Sequence, residues 1–216
     1  MSRRPDPVAS RRAILEAARE CFSQAGYAGT SMHHIANAAG VTQSLIHHHF
    51  GPKDALWAEV RTYAFQQYVQ EQRKLIESQM NEPSLLRTSM ETYFRFIADN
   101  PDILRLVAWL ELDRPVEFVD EIRDLHLRGV AVVEAGQAAG FLRSDVPARF
   151  VLTAFMGLVR NWFEQRNLIQ DESDPQQVAQ ADAAYLQAMW SIFSEGLLAP
   201  SPGAESGPAA PSVAPV

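Results

Sequence analysis

Hydrogen-bonding side chains with no evident role in a core follow a glycine turn early in the chain: Gln43, Ser44, His47 and His48. Amide, hydroxyl and imidazole groups bond to base edges and phosphates when a helix carries them into the major groove of DNA. The same residue types also cover ordinary solvated helices. The DNA-binding interpretation therefore depends on which secondary-structure elements carry these side chains.

The sequence predicts a short helix directly before this stretch. Its apolar residues repeat at i, i+3, i+4 and i+7, which places them on one helical face: Met32, Ile35, Ala36 and Ala39. Either Thr30 or Ser31 is suited to cap its start, because a side-chain oxygen there accepts a bond from an unpaired backbone N–H. Gly40 ends the helix where glycine adopts the left-handed conformation at little cost.

A second short helix is predicted after the turn, with Thr42 as its cap. Its inner face is formed by Leu45 or Ile46, together with His49 and Phe50. Two short helices joined by a tight glycine turn form a helix-turn-helix, whose second helix commonly enters the major groove. Two core helices of an all-α protein would show the same apolar pattern, so this interpretation stays open on pattern alone.

Helical patterns also account for the chain around this pair. An amphipathic helix from Ser10 to Ala25 comes before it, and a long helix that begins at Pro52 extends well beyond it. Further helices are predicted over 85–98, 103–112 and 116–139, and after Pro147 and Pro175. No segment alternates with a period of two, so we expect an all-α fold without strands.

The predicted organisation has four parts. Residues 1–9 form a basic arm, which is either a solvated tail or a segment that reaches DNA phosphates. Residues 10–57 form a three-helix DNA-binding domain, and residues 58–198 form a larger helical domain. Residues 199–216 consist almost entirely of Pro, Ala, Ser and Gly, and this composition predicts disorder.

Charge and composition narrow the possible functions. The net charge of −7 disfavours indiscriminate coating of nucleic acid. Residues 1–55 carry six Arg and Lys against four acidic residues, whereas the remainder carries 13 against 22.

The single cysteine, Cys21, excludes an intrachain disulfide. Neither a secretory signal nor a span of about 18 uncharged apolar residues occurs, so a soluble cytoplasmic protein is expected.

Enzymatic and metal chemistry find no support in the residue pattern. No nucleophile–His–Asp arrangement, glycine-rich phosphate loop or carboxylate pair at a recognisable spacing occurs, so we predict no catalytic residues and no cofactor. The runs His33-His34 and His47-His48-His49 suggest a metal site at first sight. Consecutive helical residues point about 100° apart and no i, i+4 His pair exists, so no metal is predicted.

The spacing of the residues from 25 to 56 resembles the DNA-binding domain of the tetracycline-repressor (TetR) family. The matching positions are Ala25-Gly26-Tyr27, Thr30-Ser31, Ile35-Ala36, Ala39-Gly40-Val41-Thr42, His49-Phe50 and Lys53-Asp54-Ala55-Leu56. The resemblance covers roughly residues 10–57 and is looser beyond them. This chain has His47 where the family usually has Tyr, which puts the details of that phosphate contact in doubt but not the fold.

The resemblance implies roles for individual residues. Base edges would be read by Thr42, Gln43, Ser44 and His48, and phosphates would be held by Thr30, His47 and Lys53. It also implies a small-molecule pocket in the second domain, for which the candidates are Phe94, Arg105, Trp109, His126, Phe155 and Arg160. Dimerisation through the last two long helices is implied as well, with an interface that contains Ala154, Gly157, Leu158, Trp162, Tyr185, Ala188, Met189 and Ile192.

These expectations predict a homodimeric, ligand-responsive repressor that binds a palindromic operator in double-stranded DNA. Two alternatives stay open. One is a ligand-unresponsive dimeric regulator, and the other is a helical adaptor whose hairpin binds a protein partner.

Overall fold

A computed structural model describes residues 6–78, 82–113, 120–168 and 173–197. Within these ranges the chain is helical, without β-strands, in agreement with the predicted all-α class. The α-helices are α1 (Pro7–Gly29), α2 (Met32–Ala39), α3 (Gln43–Phe50), α4 (Lys53–Glu77), α5 (Glu82–Asp99), α6 (Asp102–Asp113), α7 (Asp120–Ala138), α8 (Ala148–Gln165) and α9 (Pro175–Leu197). A 3-10 turn, Arg166–Leu168, follows α8.

Helices α1 to α3 and the start of α4 enclose the first part of the core. Phe22, Ile35, Ile46 and Leu56 are fully buried there. Gly40 has the left-handed backbone (φ 65°) that ends α2. The hydroxyl of Ser31 accepts from the backbone N–H of His34, so Ser31 is the cap of α2. The predicted helix-turn-helix is therefore confirmed, and Ile46 is the residue that faces inward in α3.

Helix α1 begins earlier than the sequence indicated. Asp6 accepts the backbone N–H of Val8 at 3.0 Å, and Pro7 occupies the first turn, where its missing N–H leaves no bond unmade. Residues 7–9 are thus helical, and the arm predicted for residues 1–9 does not extend over them. Residues 1–5 lie outside the described ranges.

Helix α4 connects the two halves of the chain. Its 25 residues span about 37 Å at 1.5 Å per residue. Val60 and Ala64 are buried in its first half, and Val69 and Gln72 are buried in its second half. Helix α4 ends at Glu77, and residues 79–81 lie outside the described ranges.

Helices α5 to α9 form the larger domain. Its core contains Phe94, Leu106, Phe155 and Val159, with a smaller cluster around Val133 and Leu142. The predicted start of the seventh helix at Val116 and the tail 199–216 lie outside the described ranges. No described helix is both long enough and apolar enough to cross a membrane.

A second joint links the two domains between α1 and α6. The guanidinium of Arg19 donates to both carboxylate oxygens of Asp102 at 2.6 Å and to the side-chain oxygen of Asn100 at 2.8 Å. The indole N–H of Trp109 donates to the backbone carbonyl of Ser23 at 3.2 Å. The Trp109 ring lies directly against Gly26, whose positive φ of 66° interrupts α1.

Replacing Gly26 with Ala tests how tightly this joint is packed. A Cβ at Gly26 would lie 2.7 Å from the Trp109 ring, in addition to the backbone strain of a positive φ. Because φ 66° with ψ −178° is a conformation essentially restricted to glycine, we expect about 1–3 kcal/mol of strain and a further ~1–3 kcal/mol from the clash, both lowering the free energy of unfolding. Urea denaturation measures this loss.

Gly40→Ala is a comparison for positive φ without a clash. Gly40 has φ 65° and ψ 32°, in the left-handed helical region, and a Cβ added there would meet nothing within 4 Å, so that variant should lose only about 1–2 kcal/mol. Its loss should be clearly smaller than that of Gly26→Ala, which combines a backbone conformation essentially restricted to glycine with the clash. Equal losses in the two variants would contradict a close contact between Trp109 and Gly26.

Candidate nucleic-acid interface

Helix α3 presents a polar face to solvent because its apolar residues are used in the core. Ile46 and Phe50 are buried, whereas all four predicted base-reading residues are exposed: Thr42, Gln43, Ser44 and His48. The hydroxyl of Thr42 caps the helix by accepting the backbone N–H of Leu45 at 3.3 Å, and it lies 3.0 Å from the hydroxyl of Ser44. Thr42, Gln43 and Ser44 thus lie together at the start of α3, where a recognition helix meets base edges, and His48 lies in the last turn of the same helix.

The hydrogen bonds of His47 define its neutral tautomer. Its Nδ1 lies 3.0 Å from the carbonyl oxygen of Gly51, which can only accept, so Nδ1 carries the hydrogen. Nε2 is then an acceptor and takes the amide N–H of Gln43 at 3.4 Å. Neutral His47 has no N–H left for a phosphate. The predicted phosphate contact thus needs a protonated or rotated ring, whereas Gln43 retains a second amide N–H and its oxygen for a base.

Lys53 stands at the first residue of α4, next to the end of α3. Its Nζ lies 4.1 Å from the centre of the Tyr27 ring, which is within the range of a cation–π contact. The Tyr27 hydroxyl in turn donates to the carboxylate of Asp54. A helix N-terminus attracts anions, so this position suits a phosphate. The contact of Tyr27 with Lys53 could not be predicted from the sequence, because it depends on how α1 packs against α4.

The phosphate contact predicted for the Thr30 side chain is wrong in this conformation. Thr30 is only 2% exposed. Its hydroxyl lies 2.8 Å from the carbonyl of Gly26 and 3.1 Å from that of Cys21, so it ties the interruption of α1 to the chain beyond it. The neighbouring Ser31 is exposed, but its hydroxyl caps α2.

Lys53→Met is expected to weaken binding to all DNA sequences alike. Methionine keeps the apolar stem but removes one phosphate-neutralising charge per protomer, so the slope of log K against log salt should fall by about 1 for each protomer bound. Fluorescence anisotropy of labelled DNA at several salt concentrations measures both quantities.

Two further variants serve as comparisons for Lys53→Met. Gln43→Ala should relax the preference at one base pair by about 1–3 kcal/mol and leave the salt slope unchanged. Thr30→Val should lower stability without changing the slope, because its hydroxyl bonds only within the protein. A normal slope in Lys53→Met would remove Lys53 from the interface.

The larger domain contains a cavity of about 430 Å³ between α4, α5, α7 and α8. Three of the six predicted pocket residues line it: His126, Phe155 and Arg160. The buried phenol of Tyr68 forms part of the wall, and burial raises its pKa far above the usual range. Burial also raises the pKa of the neighbouring core residue Tyr93 to about 12, against an opposing effect of the Arg160 charge.

The other three predicted pocket residues do not line this cavity, and each has another place in the fold. Phe94 is buried against the rings of Phe163 and Tyr185. Arg105 is exposed on α6 and does not line the cavity. Trp109 contacts α1 and belongs to the interdomain joint. Polar cavity residues that the sequence analysis missed include Gln72, Ser89 and Arg123.

The predicted dimer residues divide into three groups by exposure. Ala154, Gly157, Ala188 and Ile192 are exposed on α8 and α9 and are available to a partner. Leu158 and Tyr185 are half-buried and bond to each other, since the Tyr185 hydroxyl donates to the Leu158 carbonyl. Met189 is buried, and Trp162 stacks on Tyr185 and donates to Asp182, so these two serve the core of one chain. Gly157 also lines the cavity.

A capped recognition helix with an exposed polar face, joined by one long helix to a domain with a cavity, defines the helix-turn-helix regulators of transcription. Residues 14–60 match the family described as bacterial regulatory proteins, tetR family, and residues 86–189 match the tetracyclin repressor-like C-terminal domain. The chain belongs to the TetR family of transcription regulators.

Individual relatives match different shares of the chain. The transcriptional repressor SCO4008 of Streptomyces coelicolor is 26% identical over 163 residues, which is 73% of this chain and 79% of that protein. The repressor AcnR of Corynebacterium efficiens is 45% identical over 51 residues, 24% of this chain and only 27% of AcnR. The structure of FadR from Bacillus subtilis, in complex with stearoyl-CoA, shares the fold. Its TM-score is 0.67 at 17% identity, covering 86% of this chain and 98% of FadR.

Proposed function

We propose that this protein is a ligand-responsive repressor that binds a palindromic operator as a homodimer and acts in the cytoplasm. The observation that carries this proposal is the course of α4. Lys53 at its start lies beside the recognition helix, and Tyr68, Gln72 and Ile76 in its second half line the cavity. A molecule in the cavity would therefore touch the same helix that supports the DNA-binding domain.

Release from DNA follows if the ligand prefers a tilted α4. Both recognition helices of a dimer must fit successive major grooves at once, so a change in their spacing weakens binding. A preference of about 1–3 kcal/mol for the released conformation is sufficient for a useful response. The relative FadR, whose structure holds stearoyl-CoA, supports a small-molecule effector for this fold.

A face on α8 and α9 supports the homodimer. Phe150 (53% exposed), Ala154 and Gly157 follow one side of α8, and Ala188 and Ile192 (68% exposed) follow one side of α9. Small residues allow helices to approach closely, and the large apolar ones gain free energy when a partner covers them. A two-fold dimer matches a palindromic site.

Selection of binding sites from random DNA tests the operator part of the proposal. We expect enriched sequences to form an inverted repeat, with affinity that falls steeply with salt and exceeds that for random DNA at least about 10³-fold. Absence of both properties would favour the adaptor. Operator binding that no ligand panel weakens, with no ligand-induced thermal shift, would favour the ligand-unresponsive regulator.

Ile192→Asp should convert the dimer to monomers, because a charge would replace an apolar residue at the interface. Sedimentation should show the change in mass, and affinity for the full palindrome should fall while affinity for one half-site stays unchanged. Leu127→Asp is the matched control, since Leu127 is similarly exposed (61%) but lies on α7. An unchanged mass for Ile192→Asp would exclude Ile192 from the interface.

A further inference from the structure

The cavity between α4, α5, α7 and α8 has a gradient of exposure. Gln72, Leu125 and Phe155 are buried and form its floor, whereas Arg123 and Thr153 are exposed at its rim. Arg160 stands between them, with its side chain 33% exposed. A bound molecule would thus have one end in the protein interior and the other near solvent.

The polar groups of the floor bond to each other. The Gln72 amide donates to the backbone carbonyl of Ser89 at 2.9 Å, and the Ser89 hydroxyl donates back to the Gln72 oxygen at 2.8 Å. The Tyr68 hydroxyl, which also belongs to the wall, bonds to the same Gln72 side chain, and the other deep residues, Leu125 and Phe155, are apolar. A ligand therefore needs no hydrogen-bonding group at its inner end, and an apolar body fits best.

The charged side chains that line the cavity are basic. They are Arg123 and Arg160, and no Asp or Glu is present among the described lining residues. This contrasts with a chain in which 26 acidic residues outnumber 19 basic ones. Arg160 has an acidic neighbour on its own helix, Glu164 at 3.4 Å, and Arg123 forms no ion pair with any described residue.

We infer that the cavity binds an apolar molecule that ends in a single carboxylate. The carboxylate lies at the rim with Arg123 and Arg160, and the apolar body extends toward Phe155. Guanidinium groups bind carboxylates through two parallel hydrogen bonds, and this pairing is strengthened beside apolar walls. The inference rests on the proposed function, because it treats this cavity as the effector site.

The volume limits the length of the apolar body. If each heavy-atom group takes about 30 Å³, as a water does in the liquid, the cavity holds on the order of 14 such groups. Decanoate, a ten-carbon carboxylate, is therefore a suitable probe. 1-Decanol and decyltrimethylammonium have the same chain with a neutral and a cationic head.

Calorimetric titration of the full chain with these three probes, below their micelle-forming concentrations, tests the inference. We expect decanoate to bind at least about tenfold more tightly than decanol and decyltrimethylammonium to bind most weakly. Arg123→Gln and Arg160→Gln should each weaken decanoate about tenfold and leave decanol unchanged, which shows that the cavity is intact. Arg95→Gln, on α5 outside the cavity, should change neither.

Binding of decanol as tight as decanoate, no binding of any probe, or unchanged decanoate affinity in both cavity variants would overturn the inference. Release of operator DNA, followed separately by anisotropy, distinguishes this from failure of the proposed function. Preferred decanoate binding without release supports the ligand class and contradicts the ligand-responsive repressor. Release by decanol or decyltrimethylammonium but not decanoate supports the repressor and overturns the ligand class.

Discussion

The ion pair between Arg19 and Asp102 holds the two domains in one orientation. If α4 were the sole link between the domains, the DNA-binding domain could rotate about the axis of that helix. The bidentate pair, with Asn100 beside it, adds a second point of attachment between α1 and α6. Both side chains are mostly shielded from solvent, so salt screens this pair less than it screens pairs on the open surface.

The two joints connect different parts of the larger domain to the recognition helix. Helix α4 carries the cavity wall at Gln72 and continues to Lys53, whereas α6 holds α1 through Asp102 and Trp109. In the proposed mechanism a ligand acts on the first joint, and the second determines how far the domain can move in response. The response of the repressor would thus depend on residues that touch neither DNA nor ligand, as coupling between distant sites often does.

Local features could be predicted from the sequence, and long-range contacts could not. The cap at Thr42, the glycine end at Gly40 and the buried face of α2 depend on residues a few positions apart, so their spacing was sufficient. The partner of Arg19 lies 83 residues away, and nothing in the pattern of α1 identifies it. Phe94 and Trp109 have the composition of pocket residues, but the packing of distant helices places one in the core and one at the joint. A local ambiguity also remained at the start of α2, because the sequence could not decide whether Thr30 or the adjacent Ser31 caps the helix.

The contact of Trp109 with Gly26 has a consequence for the exchange of domains between family members. A regulator with a new operator is commonly sought by grafting a foreign DNA-binding domain onto an existing effector domain. Here such a graft brings a new α1 against the native α6. The incoming helix must have no side chain opposite Trp109 and a cation opposite Asp102. A chimera that receives only residues 10–57 keeps the contact between α1 and α6 when the donor has both the glycine opposite Trp109 and the cation opposite Asp102. When the donor lacks either residue, its α6 has to be transferred together with residues 10–57.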